Sequence, residues 1–143
     1  MSDQTLLYVG AEECGLYRKE VGNGGWAELT QDLPPSPQVR ALAVHPRTRG
    51  LIFAGTQQGV YRSRDQGDHW ERMNLPEGRV IWSLQFHPAD PEVMYAGTEG
   101  SEVFISRDGG ENWQHLSTID NPECLVNYCS PAFDSGGGMG GGM

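Results

Sequence analysis

One eight-residue pattern, S-x-D-x-G-x-x-W, occurs twice in this chain, as Ser63-Arg64-Asp65-Gln66-Gly67-Asp68-His69-Trp70 and as Ser106-Arg107-Asp108-Gly109-Gly110-Glu111-Asn112-Trp113. The flanks repeat with it. His45-Pro46, Phe53-Ala54-Gly55-Thr56 and Tyr61 are matched in order by His87-Pro88, Tyr95-Ala96-Gly97-Thr98 and Phe104. A worn third copy lies upstream, where Tyr8-Val9-Gly10-Ala11 leads to Tyr17. Trp26 follows Tyr17 by nine residues, the spacing of Trp70 after Tyr61 and of Trp113 after Phe104. The tryptophans therefore recur at 44 and 43 residues. The chain is an array of repeats.

A period of that length built from short β-prone runs predicts propeller blades. A solenoid of helix pairs would carry 3.6-residue periodicity instead. In one unit the runs 39–44, 51–54, 60–63 and 70–73 are separated by turn residues at 46–50, 57–59 and 65–68, which gives four antiparallel strands per blade and an all-β fold. The first run is apolar on both faces of its two-residue alternation apart from Arg40, as expected of an inner strand covered by blades on both sides.

The two signatures resemble the Asp-box (BNR) repeat shared by sialidases, sortilin-type receptors, xyloglucanase-like glycosidases and photosystem assembly factors. The resemblance covers roughly residues 6–131. It implies a turn between the third and fourth strands in which Ser63, Asp65 and Gly67, and likewise Ser106, Asp108 and Gly110, are structural. The aspartate accepts hydrogen bonds from backbone N–H groups of its own turn, and glycine supplies positive φ. Trp70 and Trp113 then open the last strand, where they can pack between blades. In the first copy Lys19 and Val21 stand at the serine and aspartate positions, so that turn is expected to rest on Gly24 and Gly25. In the family the boxes lie on the bottom rim, away from active sites, and Asp65 and Asp108 are read as fold devices.

The predicted organisation is a partial blade at 6–29, blades at 39–74 and 80–117, a closing inner strand at 124–131, and a flexible Gly/Met tail at 132–143. Ser130 follows Trp113 by 17 residues, as His87 follows Trp70, which sets the closing strand in register. Closed propellers need about four to eight blades. The expectation is therefore a homodimer in which two chains exchange terminal inner strands to build one six-bladed ring. A piece of a longer propeller is the competing reading.

Ten basic against 19 acidic side chains give a net charge of −9, which disfavours nucleic-acid and anionic-membrane partners. The N-terminal residues lack the basic start and apolar core of a secretory signal, so a cytoplasmic location is expected. Cys14, Cys124 and Cys129 form no framework and read as free thiols. The gap between the last two lacks a second Cys/His pair, so no metal and no cofactor are expected.

By analogy with such propellers, ligands meet the face opposite the boxes. It is formed by the loops after each second strand and by the interblade segments 30–38, 74–79 and 117–123. These loops bring Glu12, Glu13, Glu99 and Glu102 to one acidic face, with Arg79 as its cation. Five residues before His45, His87 and Ser130 stand Arg40, Trp82 and Leu125, at the start of each inner strand. Arg40 could bind a carboxylate or sugar hydroxyl and Trp82 could stack on a pyranose ring; equally, Arg40 could pair with an interblade acid and Trp82 fill the channel. The arginine triad of sialidases is not matched, and no carboxylate pair can be placed, so catalytic residues stay unassigned. The expected function is a non-enzymatic binding or assembly scaffold for a protein or carbohydrate ligand. The alternative is a glycoside hydrolase, or a fragment of one, with its site at the acidic channel mouth.

Overall fold

The computed structural model describes residues 4–11, 13 and 15–118. Among them run eleven strands: β1 (Leu6–Ala11), β2 (Gly15–Glu20), β3 (Asn23–Glu28), β4 (Ala41–Val44), β5 (Ile52–Thr56), β6 (Gly59–Ser63), β7 (Glu71–Arg72), β8 (Ile81–Phe86), β9 (Met94–Thr98), β10 (Glu102–Ser106) and β11 (Gln114–Thr118). They form three antiparallel meanders, β1-β2-β3, β4-β5-β6-β7 and β8-β9-β10-β11, called blades 1 to 3 below. The closing strand expected at 124–131, the tail at 132–143, Glu12 and all three cysteines lie outside the described residues.

Blade 2 is buried on both faces, and the two-residue alternation of its strands explains how. On β5, Ile52 and Ala54 point into one cluster with Leu16 and Leu29 of blade 1. Phe53 points the other way, into a second cluster with Ile81, Leu84 and Phe104 of blade 3. Tyr61 and Val60 of β6 divide in the same manner. A strand with neighbours on both sides is buried at successive positions, as β5 and β6 are, whereas the inner strands β4 and β8, expected to be covered on both sides, are only partly buried, with Val44 54% and Trp82 50% exposed.

Each box tryptophan packs backward onto the preceding blade. Trp70 is 5% exposed in the cluster shared with blade 1, and Trp113 is 6% exposed in the cluster shared with blade 2. Trp26, at the matching position, is 51% exposed, on a strand whose six residues are all exposed. No blade precedes it among the described residues, so its ring has nothing to cover it. The β2–β3 turn departs from expectation. It is the two-residue turn Val21-Gly22, closed by the Glu20/Asn23 pair, with Gly22 at φ 82°. Gly25 has no positive φ, whereas Gly24, at φ 72°, has its carbonyl held by Lys19 Nζ at 2.7 Å.

The interblade segments were expected on the face opposite the boxes, yet they begin against the next box. Asn74, just past β7, donates its N–H to Glu111 O at 3.1 Å and accepts the Trp113 N–H at 3.1 Å. Its side-chain amide donates to Asn112 Oδ1 at 2.6 Å. Twist accumulates from strand to strand, so the outer strand of one blade swings sideways onto the bottom of the next.

Candidate functional site

The two boxes have one hydrogen-bond plan. Ser63 Oγ lies 2.8 Å from Asp65 Oδ1 and accepts the Gly67 N–H at 2.8 Å, while Asp65 Oδ1 accepts the His69 N–H at 2.9 Å. In blade 3, Ser106 Oγ lies 2.8 Å from Asp108 Oδ1 and accepts the Gly110 N–H at 2.9 Å, and Asp108 accepts the Asn112 N–H at 2.9 Å. The second carboxylate oxygen is taken by His69 Nδ1 in one box and by the Asn112 amide in the other. His69 holds the Asp65 pKa at about 2. Hydrogen bonds from Asn112 keep Asp108 below the usual carboxylate value. Carboxylates so occupied are tied into their own turns.

A repeated ion pair bridges the blades beside the boxes, and the sequence reading missed it. Arg18, following Tyr17, reaches Asp68 of the next box at 3.1 Å. Arg62, following Tyr61, reaches Glu111 of the next box at 3.1 Å and Glu71 of its own blade at 2.8 Å. Burial lowers the Arg62 pKa, but the hydrogen bonds it donates to Glu71 and Glu111, with their negative charges, outweigh it, and the net shift is upward. The legible signal was an arginine after the third-strand aromatic, paired with an acid one residue past the box glycine of the next repeat. A cleft of about 340 Å³ opens beside Arg62, lined by His45, Phe86, Glu92 and Glu111 among others. Of its charges, Arg62 and Arg64 face Glu71 and Glu111, and Asp108 is tied into its own box turn.

On the opposite end of the blades Arg40 and Trp82 are brought together. The Arg40 guanidinium carbon stands 4.5 Å from the centroid of the Trp82 ring, within cation–π range. A bulge between Ile81 and Ser83 leaves Trp82 without a cross-strand partner on β9. Bulges re-aim side chains, and the ring is 50% exposed. The Arg40 N–H donates to Gly55 O at 3.0 Å, fixing the start of β4.

The expected acidic set does not converge as a unit. Glu102 pairs with Arg79 at 2.7 Å and lies 3.7 Å from His115 Nε2. Glu99 is exposed at the β9–β10 turn, where its N–H donates to Val80 O. Glu13 stands on blade 1, lining a shallow cleft with Glu28 and the proline run 34–37. Among the described residues no group of three or more His, Cys, Asp or Glu side chains could hold a metal ion.

The profile of the Sortilin-Vps10 family, described as sortilin, neurotensin receptor 3, matches residues 58–133, more than half of the chain. The chain belongs to the sortilin/Vps10 family of Asp-box propellers. A xyloglucanase from Paenibacillus sp. is 28% identical over 148 residues, covering 87% of this chain but 14% of that protein. Among solved structures, an ancestral GH74 enzyme superposes with a TM-score of 0.68 at 24% identity, covering 78% of this chain and 16% of the other. YCF48 bound to a D1 peptide gives 0.62 at 14% identity, covering 79% and 38%. The fold is that of propeller blades. This member of the family spans well under two thirds of the length of each of these relatives.

Proposed function

We propose that this family member is a non-enzymatic propeller scaffold that binds a protein segment at the channel end of its blades, with Arg40 and Trp82 as the contact. The observation that carries this reading is the stacked pair itself. It offers a half-exposed aromatic face beside a cation, suited to an extended peptide with a carboxylate and an apolar side chain. YCF48, a propeller of the same fold, is seen bound to a D1 peptide, so blades of this type can present a peptide site. The exposed Leu7 and Val9 on β1 fit a ring completed by a second chain through exchanged inner strands.

The test is binding of the full chain to an array of peptides with free C-terminal carboxylates, compared with Trp82→Ala and Arg40→Ala. Selective binding lost in both variants is expected. Binding that ignores both substitutions would remove the pair from the reading.

A second reading, glycoside hydrolysis, is favoured by the 28% identity to a xyloglucanase across most of this chain. There Trp82 would serve as a sugar platform and Glu99 and Glu102 as the eligible carboxylates. Release of reducing ends from xyloglucan, abolished by Glu99→Gln or Glu102→Gln, would replace the scaffold reading with this one.

A further inference from the structure

The box-side contact between neighbouring blades is built twice, and the copies differ in one hydroxyl. Between blades 1 and 2 the carbonyl of Gln66, in the box turn, is covered from the preceding blade. Tyr8 donates its hydroxyl to it at 2.9 Å, and Arg18 Nη1 donates at 2.8 Å. Between blades 2 and 3 the residues at the matching repeat positions are Gly109, Phe53 and Arg62. Phe53 has no hydroxyl, and Arg62 turns its Nη1 to Glu111 instead. No N–H or O–H among the described residues donates to Gly109 O. The two backbones agree, with Gln66 at φ 67° and Gly109 at φ 73°, so the Gly109 carbonyl faces blade 2 as that of Gln66 faces blade 1.

The space differs accordingly. The cleft lined by Tyr8 and Gln66 holds about 170 Å³, and the one lined by Phe53 and Gly109 about 340 Å³. Phe86 stands edge to face with Phe53 at 5.9 Å and with His45 at 5.3 Å, which gives the larger cleft an aromatic wall. His45 Nδ1 accepts the N–H groups of Arg47 and Thr48, so that nitrogen carries no proton and the ring brings no charge. Glu92 stands where the smaller cleft has Gly50. One of its carboxylate oxygens lies 3.1 Å from the place a Cβ on Gly109 would take. Among the described residues that carboxylate has no cation, because Arg62 and Arg64 are turned to Glu71 and Glu111.

An unfilled carbonyl, an unpaired carboxylate and an aromatic wall require one ligand chemistry, a positively charged hydrogen-bond donor on an apolar stem. We propose that the cleft between blades 2 and 3 binds an arginine side chain of a protein partner. Its guanidinium donates to Gly109 O and to the Glu92 carboxylate, and its stem lies against Phe53 and Phe86. A guanidinium has five N–H donors in one plane, enough for both acceptors, and packs on aromatic rings better than an ammonium does. The chain's net charge of −9 draws a basic partner towards it. This site lies at the box end and does not depend on the Arg40–Trp82 contact.

The experiment follows amide chemical shifts of the full chain while a short capped peptide with a central arginine is added, in parallel with lysine and alanine versions. Saturable shifts at Gly109, Gly110 and Phe86 are expected with arginine, with affinity falling at least about three-fold for lysine and vanishing for alanine. Glu92→Gln is expected to weaken binding about ten-fold. Phe53→Tyr, which supplies the hydroxyl that Tyr8 has, is expected to close the cleft and weaken binding at least about ten-fold. Glu77→Gln, an exposed change outside the cleft, should leave binding as it is. Absence of saturable shifts in the parent, or equal binding by Glu92→Gln, overturns the proposal. Should Phe53→Tyr fail to fold, Glu92→Gln, which alters an exposed side chain, decides alone. Shifts centred on Arg40 and Trp82 instead give the peptide to the channel end, which overturns the cleft and leaves the scaffold reading standing. Ethylguanidinium binding as tightly as the peptide assigns the cleft to a free small cation and overturns the protein partner.

Discussion

Blades 1 and 2 share a repeat and differ in their neighbours. Blade 2 has a blade on each side, and every residue of β5 and β6 is buried. Among the described residues blade 1 has a neighbour on one side, and β3 is exposed throughout. The same aromatic position is consequently a core residue as Trp70 and a surface residue as Trp26. In a repeat array stability lives in the interfaces between units, so a residue's energetic role follows from the units beside it as much as from its place in the motif.

Replacing tryptophans in turn puts this contrast at greatest risk. Trp113→Ala is expected to cost about 3–5 kcal/mol in urea unfolding, as large-to-small changes of buried aromatics do. Trp26→Ala should stay within about 0.5 kcal/mol, the range of exposed sites. Equal costs would mean that the contrast between covered and open blades is wrong.

Glycines give the next largest difference. A Cβ at Gly110 would run into the Phe53 ring, and φ there is 90°. Gly110→Ala is therefore expected to lose about 2–3 kcal/mol, combining overpacking with a left-handed backbone. Gly25, with open space and no positive φ, should accept alanine with a change below about 0.5 kcal/mol. Thermal melts of the two variants check this.

The ion pairs sharpen the comparison further. Arg62 is 8% exposed between blades 2 and 3, whereas Arg18 is 22% exposed between blades 1 and 2. Arg62→Ala should cost about 1–2 kcal/mol, mostly through lost packing of its stem, because Glu71 and Glu111 remain half in water. Arg18→Ala should cost less, under about 1 kcal/mol.

Acidity separates the two boxes. Asp65 titrates at about 2 in the folded chain, below its ordinary value, so its stabilisation is complete above that ordinary value of 3.8 and is lost as pH falls towards 2. Its partner His69 is shifted upward, chiefly by the hydrogen bond to Asp65. That contribution is complete below the ordinary histidine value of 6.5 and fades as pH rises through the raised one. Blade 3 has Asn112 in the histidine's place, which does not titrate. Urea midpoints followed against pH should therefore lose their alkaline-side slope in His69→Asn while keeping the acid-side loss.

The smallest expected effect concerns the turn itself. Gln66 holds φ 67° where blade 3 has Gly109 at φ 73°. Gln66→Gly should be neutral or stabilising by up to about 1 kcal/mol, since relief of a left-handed side chain is partly offset by glycine's greater unfolded-state freedom. Differential scanning calorimetry resolves a change of that size.

The box turns, the strand count of each blade and the equivalence of Arg40 with Trp82 were legible in the sequence, because they depend on local turn chemistry and on a fixed repeat spacing. Trp26 was not legible as exposed, for a physical reason. Its motif position is local, but its burial depends on a blade that no residue near it encodes. The Arg18 and Arg62 bridges were written in the sequence as arginines followed, 50 and 49 residues later, by acids. That separation becomes a contact only when twist brings one blade's third strand beside the next blade's box.

The amino-acid sequence thus determined the repeat, its period and the residues that close each turn, since hydrogen bonds within a turn need only neighbours in the chain. Packing of blade on blade decided the rest: which tryptophan is core, which carboxylates are already paired, and that Arg40 lies over Trp82. Those contacts join residues dozens of positions apart, and their distances are set by the twist and the close approach of whole sheets.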